Sequence, residues 1–347
     1  MLDVDARKTA SSPKALRISA LDFTKGALVL IMVLYHWVNY FIGLEWAYYR
    51  YLRFLTPSFI FVTGFMISNV YLSKYDAADP RLSRRLFTRG LKLLTIFLVL
   101  NLARTLIVPA LGTGVVLGNL QDIRNIFAVF LSGNVPAVGG KLISFAILVP
   151  ISYLLMLSGV LMLPYRFYRY TFHVVCVFFL LSIVVLGFIG AQSSNLELIT
   201  IGMLGVLAGF IPIAAINDFV RHFYILGFTY LCYTIAITIW GVPFSLQLMG
   251  VPLSLMVIYL VGISGSESGT VRNEVVLLGK YSLFGYISQI AILQILAASL
   301  HRVNLGIAAL SVSFVAAFSL TIISVEVVDR LRARLVSLDR LYKGVFA

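Results

Sequence analysis

Ten apolar runs follow one another along this chain, at approximately 20–42, 53–73, 91–110, 141–163, 172–190, 196–216, 223–240, 247–264, 282–300 and 305–325. Each is long enough to cross a hydrocarbon core of about 30 Å as a helix. A segment surrounded by lipid has no other fold available, because its backbone N–H and C=O groups must be satisfied internally. Composition agrees: 60% of the 347 residues are apolar and 12% are charged, against about 25% charged in a soluble domain. The sequence therefore predicts an all-α, polytopic integral membrane bundle of about ten transmembrane helices. A soluble globule, a disordered tail and a coiled coil are excluded.

Basic residues fix the expected orientation. Lys8, Lys14 and Arg17 precede the first run; Arg81, Arg84, Arg85, Arg89 and Lys92 lie between the second and third; Arg166 and Arg169 follow the fourth. Arg221, then Arg272 and Lys280, then Arg330 to Lys343 follow the sixth, eighth and tenth. With ten spans all of these fall on one side. Both termini are then cytoplasmic, in a multi-pass protein of the inner (plasma) membrane. The net charge of +13 points to the anionic inner leaflet as partner rather than to nucleic acid.

The expected organisation is a cytoplasmic tail over 1–17, a membrane domain over 18–325 and a cytoplasmic tail over 326–347. Met1 to Arg17 reads as a tail leading into an uncleaved span, not as a removable signal peptide. Segment 112–140, semi-apolar and rich in Gly and Asn, is expected to form an outer re-entrant or lid segment. From Val325 to Phe346, the residues Val328, Leu331, Leu335, Leu338 and Tyr342 share one face with arginines between them, predicting a basic amphipathic helix on the inner leaflet. Cys176 and Cys232 fall inside apolar runs and read as core packing. No His/Cys cluster has metal-ligand spacing, so no metal is expected. The lack of an internal repeat weighs against a transporter built from inverted repeats.

Ionisable groups within a span cost at least about 2.5–3.5 kcal/mol on insertion scales, so each needs a reason. The first run holds Asp22, Lys25 and His36. Eleven residues turn a helix through about 1100°, which returns His36 to within about 20° of Lys25, some 16 Å further along. Asp22 lies three positions before Lys25, within pairing reach. Asn39 and Tyr40 continue the face beyond His36, and Val29, Met32 and Val33 make the interval apolar. Such a stripe suits a long ligand with an anionic head at the inner surface and a reactive tip inside the bilayer. Arg89 and Lys92, at i and i+3, share a face where the third span begins, and with Arg85 they suit a phosphate group.

These residues carry a resemblance. Leu21-Asp22-Phe23-Thr24-Lys25-Gly26, with ten residues between Lys25 and His36, resembles the Leu-Asp-x-x-Arg-Gly and Arg/Lys-x10-His signature of the transmembrane acyltransferase superfamily. This is the acyltransferase-3 group with its heparan-glucosaminide N-acetyltransferase-like relatives. Pro57-Ser58-Phe59-Ile60-Phe61-Val62-Thr63-Gly64-Phe65 is similar to its second-span motif. Phe87-Thr88-Arg89-Gly90-Leu91-Lys92 stands where that family has a basic pair, and Leu278-Gly279-Lys280-Tyr281-Ser282-Leu283 with Tyr286 resembles its late motif. The likeness touches spans one to three and nine; the region from about 100 to 275 matches in hydropathy alone. Lys25 and Lys92 stand where Arg is commoner, and Thr63 replaces Ser. Where many members have a His after the late Tyr, this chain has Ser288 and Gln289.

The resemblance implies transfer of an acyl group, typically acetyl from cytoplasmic acetyl-CoA, to a hydroxyl or amine of a cell-envelope glycan or lipid-linked sugar. Lys25, Arg85, Arg89 and Lys92 would hold the phosphates of the acyl-CoA. His36 would act at the thioester as general base or as covalent acyl carrier. Asn39 and Tyr40 would orient it or stabilise the oxyanion. The competing reading is a non-enzymatic transporter or flippase for a lipid-linked saccharide, using the same buried charges and the aromatics Tyr35, Trp37, Tyr40, Trp46, Tyr48 and Tyr49. Those aromatics also suit an interfacial belt.

Overall fold

Helix α1 (Ser19–Phe41) begins with Asp22 in its first turn, where a carboxylate complements the helix dipole. The computed structural model describes residues 19–43, 47–72, 75, 79–110, 129–133, 145–265, 269–300 and 307–346. After α1 come α2 (Leu55–Met66), which runs on as a π turn over Ile67–Leu72, then α3 (Pro80–Ala110), α4 (Leu148–Tyr165) and α5 (Thr171–Phe188). They are followed by α6 (Ser194–Ala208), α7 (Ile213–Val220), α8 (Phe223–Trp240) and α9 (Phe244–Ser264). The chain closes with α10 (Thr270–Lys280), α11 (Ser282–Leu300), α12 (Ile307–Arg334) and α13 (Val336–Phe346). Among the described residues there is no strand, and nine helical stretches are long and apolar enough to cross a bilayer. Counting the bent pair α6–α7 as one span gives ten. This is a polytopic membrane helix bundle.

Three segments differ from their sequence expectation. The third helix begins at Pro80, not near residue 91, so Arg84, Arg85, Arg89 and Lys92 ride on a continuous helix. The run expected to span at 196–216 breaks after Ala208 and turns by 100° into α7. Pro212 caps α7; it has no N–H to continue the preceding ladder, and its ring clashes with the turn before it. The last span runs on to Arg334 instead of yielding to a separate tail at 326. The tail is two helical pieces that part at Leu335.

Of the expected lid at 112–140, only 129–133 lies within the described residues. There Asn195 Nδ2 donates to the carbonyls of Val129 (2.8 Å) and Phe130 (3.1 Å), and Tyr153 donates to Phe130 (3.0 Å). This turn is pinned to the starts of α4 and α6. The N-terminal tail over 1–17 lies outside the described residues. Cys176 is buried as expected, whereas Cys232 is exposed on α8.

The core lies where α1, α2, α4 and α6 meet, around Leu28, Leu55, Ile60, Leu148, Leu154 and Met203. Large apolar side chains on α5 and α8, such as Phe178, Leu181, Phe228 and Ile239, point outward. In a bilayer that face meets lipid, so helix association rests on close backbone packing instead of on exclusion of water. The α1–α10 pair shows this most clearly. A Cβ on Gly26 would sit 1.8 Å from the Val275 carbonyl oxygen, and one on Gly279 would sit 1.7 Å from that of Asp22. Only glycine fits at either position.

Candidate functional site

At the basic end of the bundle, α1, α2, α3, α4, α10, α11 and α13 enclose a cavity of about 280 Å³. Lys25, Arg89, Lys92 and Lys280 line it, with Phe59, Thr63, Met66 and Leu155 among the apolar walls. Periodicity explains the convergence. Arg89 and Lys92 project from one face of α3, and Gly26 and Gly279 draw α1 and α10 together, which sets Lys25 beside Lys280. Lys25 Nζ lies 2.6 Å from Asp22 Oδ1, and Asp22 is only 5% exposed. That carboxylate meets the requirement that a charge removed from water be paired.

Arg89 also lies over the Tyr71 ring, 5.6 Å from its centroid. Thr63 reaches the cavity wall, yet its hydroxyl is spent on the Phe59 carbonyl at 2.8 Å. Arg85 is not brought to the site. It is exposed, donates to the Tyr75 hydroxyl and stacks 5.0 Å from the centre of that ring. Its expected place in the basic cluster is thus corrected. One turn earlier than Arg89, it projects beyond the cavity rim.

Helix α13 covers the mouth, contributing Tyr342, Val345 and Phe346 to the lining. The expected basic amphipathic helix is present, and part of its apolar face packs onto the protein. Arg332 holds the fold-back by donating to Asp339 Oδ1 through Nε (3.0 Å) and Nη2 (2.6 Å). The same guanidinium lies over the Tyr342 ring at 4.0 Å and over Tyr281 at 5.2 Å. Lys343, then Arg332, hold the Asp339 carboxyl below its ordinary range. Burial pushes the Tyr342 phenol up to about 12. Opposite, Asp329 accepts from Lys280 (2.8 Å) and from the Tyr281 hydroxyl (2.5 Å).

The cavity's inner wall is the Tyr286 ring, which is 7% exposed. Phe59 and Phe145 flank it, each with its ring centroid 6.0 Å away. Phe145 is the one non-glycine among the described residues with positive φ, at 64°. Such a backbone costs on the order of 1–3 kcal/mol and persists where packing over-determines it. His36 stands behind Tyr286, its ring centroid 6.3 Å away. Tyr286 is thus both a wall of the cavity and a neighbour of His36. Between Lys25 and His36 the stripe is packed, not hollow: Val29, Met32 and Val33 are each at most 1% exposed. The cation and the imidazole share a helix face, and Lys25 lines the cavity while His36 does not.

Around His36 the Tyr35 ring packs edge-on at 5.2 Å, and the Tyr35 hydroxyl hydrogen-bonds to that of Tyr49. Tyr40 packs on the outer cluster of Val33, Trp37, Val38 and Leu293. Seven polar side-chain atoms are buried with no hydrogen-bond partner among the described residues: His36 Nε2, Asn39 Oδ1, and Gln289 Nε2 and Oε1, with Ser158 Oγ, Ser254 Oγ and Arg272 Nε elsewhere.

Sequence reasoning thus placed Lys25, Asp22, Arg89 and Lys92 together. It missed Lys280, the Tyr286 wall, Gln289 and the α13 cover. The late motif names Lys280, Tyr281 and Tyr286, but nothing local ties them to α1. Among the described residues no group of three His, Cys, Asp or Glu is placed to hold a metal. No family model, curated protein or solved structure matches the chain.

Proposed function

We propose that this protein is a membrane-bound acyltransferase. It moves an acyl group, acetyl in the simplest case, from acyl-CoA at the cytoplasmic face to a hydroxyl or amine of a cell-envelope glycan or lipid-linked sugar. The observation that carries the reading is a cavity with cations at its mouth, apolar walls along its length and an imidazole behind its inner end. Its cations suit the phosphates of the donor, and Lys–phosphate and Arg–phosphate contacts are strong because both partners are charged. Its volume is at the low end for small-ligand pockets, about 300–1,000 Å³. It would hold the pantetheine arm and the adjoining phosphate, with the adenosine outside.

His36 Nε2 is buried with no hydrogen-bond partner among the described residues. In the proposed reaction Tyr286 turns aside and the thioester carbonyl comes beside that nitrogen. The acceptor oxygen attacks the carbonyl carbon as Nε2 takes its proton. The tetrahedral intermediate then collapses: the C–S bond breaks as His36 passes that proton to the departing sulfur, which restores the neutral imidazole. The products are free CoA and the acylated acceptor. Purified protein given labelled acetyl-CoA and a lipid-linked or soluble glycan should transfer label, and the His36→Ala variant should not. Label appearing on His36 in the absence of acceptor would replace the base role with a covalent acyl-histidine.

A further inference from the structure

Gln289 is fully buried, at 0% exposure, and neither end of its carboxamide has a partner among the described residues. Buried polar groups are almost always hydrogen-bonded, so an orphaned amide marks a place built for something else. Its direction follows from the neighbouring contacts on α11. With Gly285 set at 0°, Tyr286 lies at about 100°, Ser288 at about 300°, Gln289 at about 40° and Leu293 at about 80°. A Cβ on Gly285 would meet Val29 of α1 at 3.2 Å. Tyr286 faces His36. Ser288 lies on the opposite side, where it accepts a hydrogen bond from Ser324 of α12 at 3.3 Å. Leu293, one turn further, packs with Val33 and Trp37.

Gln289 therefore projects between α1 and the Tyr286 ring, at a depth bracketed by Val29 and Trp37. His36 occupies that interval. Two elements thus bring unpartnered polar atoms to this interface: α1 carries His36 Nε2 and, just beyond Trp37, Asn39 Oδ1, and α11 carries the Gln289 amide.

We infer that Gln289 donates a hydrogen bond to the oxygen of the acyl carbonyl, so that His36, Asn39 and Gln289 form a binding pocket for the reacting carbonyl group. The inference rests on the acyl-transfer reading. An amide N–H is suited to the task because it is neutral, fixed in place and strengthened as negative charge develops on that oxygen in a dry site. Asn39 Oδ1 offers the complementary acceptor to the incoming hydroxyl or amine.

The test uses full-length protein in detergent with acetyl-CoA and a glycan acceptor. It compares wild type, Gln289→Met (similar in length, with no amide) and Gln289→Leu (apolar, likewise with no donor). Both variants should bind CoA like wild type. Gln289→Met should melt at or above the wild-type temperature, because an unsatisfied buried amide is removed. In both, kcat should fall by about 10²–10³-fold, the loss seen when one oxyanion donor is deleted, with KM little changed. Wild-type kcat in either variant overturns the inference, as does a fall in kcat that tracks a lowered melting temperature. Absence of acetyl-CoA binding and transfer in wild type itself would instead fail the acyltransferase reading, and this inference with it.

Discussion

The rings of His36 and Tyr286 lie 6.3 Å apart, on α1 and α11. Tyr286 also lines the basic cavity, so in the proposed reaction a donor reaching His36 passes beside this phenol. Replacing His36 by Ala is expected to lower acyl transfer by about 10²–10⁴-fold, the usual worth of a general base. CoA binding and the melting temperature should stay near wild type. Steady-state transfer assays on the solubilised variant check this.

Arg89 and Arg85 are one helical turn apart but have different surroundings. Arg89 lines the cavity, while Arg85 is turned outward onto Tyr75. Arg89→Ala should weaken acyl-CoA binding by about 1.5–3 kcal/mol, the worth of a hydrogen bond to a charged group, or roughly 10–150-fold in Kd. Arg85→Ala should leave Kd within about twofold. Titration calorimetry with CoA separates the two, and equal losses would refute the placement of the donor phosphates.

A methyl group at Gly279 would collide with the Asp22 carbonyl oxygen at 1.7 Å. Both partners are backbone, so neither can turn away. Gly279→Ala should cost at least the roughly 1–3 kcal/mol of ordinary overpacking and lower the melting temperature. The control is Gly187→Ala in α5, where a Cβ meets nothing within 4 Å. That change should be neutral or stabilising, because alanine is the better helix former.

Asp339 is the latch that holds α13 over the cavity mouth. Its carboxyl titrates below the ordinary value in the folded protein because Lys343 and Arg332 bond to the charged form. Its contribution is therefore complete above about pH 4, the unfolded-state range, and is lost as pH falls through the lower folded value. Hydrogen exchange over 336–346 should accelerate under that acidification. At neutral pH the same acceleration is expected in Asp339→Asn. Unchanged protection in that variant would show that the latch does not hold the helix.

Much of this was legible in the sequence for a physical reason: lipid permits few folds, and hydropathy counts them. The pairing of Asp22 with Lys25 follows from i, i+3 spacing alone. The convergence of Arg89 and Lys92 on a cavity was inferable from charge carried where a span begins. The break at Pro212 was also readable, but the apolar run continues across it and hid the turn. Two features had no local signal. An amphipathic helix such as α13 has the same pattern whether its apolar face meets acyl chains or Tyr281. Gln289 stands where the resembled family often has a His, but nothing local shows that its amide lacks a partner among the described residues.

The glycine contacts that fuse α1 to α10 have a consequence for how a ligand is accommodated. With main chain against main chain at Gly26 and Gly279, the two helices have no slack to slide. The backbone positions that carry Lys25 and Lys280 are then held at a fixed spacing, and in the proposed function anions of different reach would be accommodated on the opposite shore, by the side chains of α3 and α13.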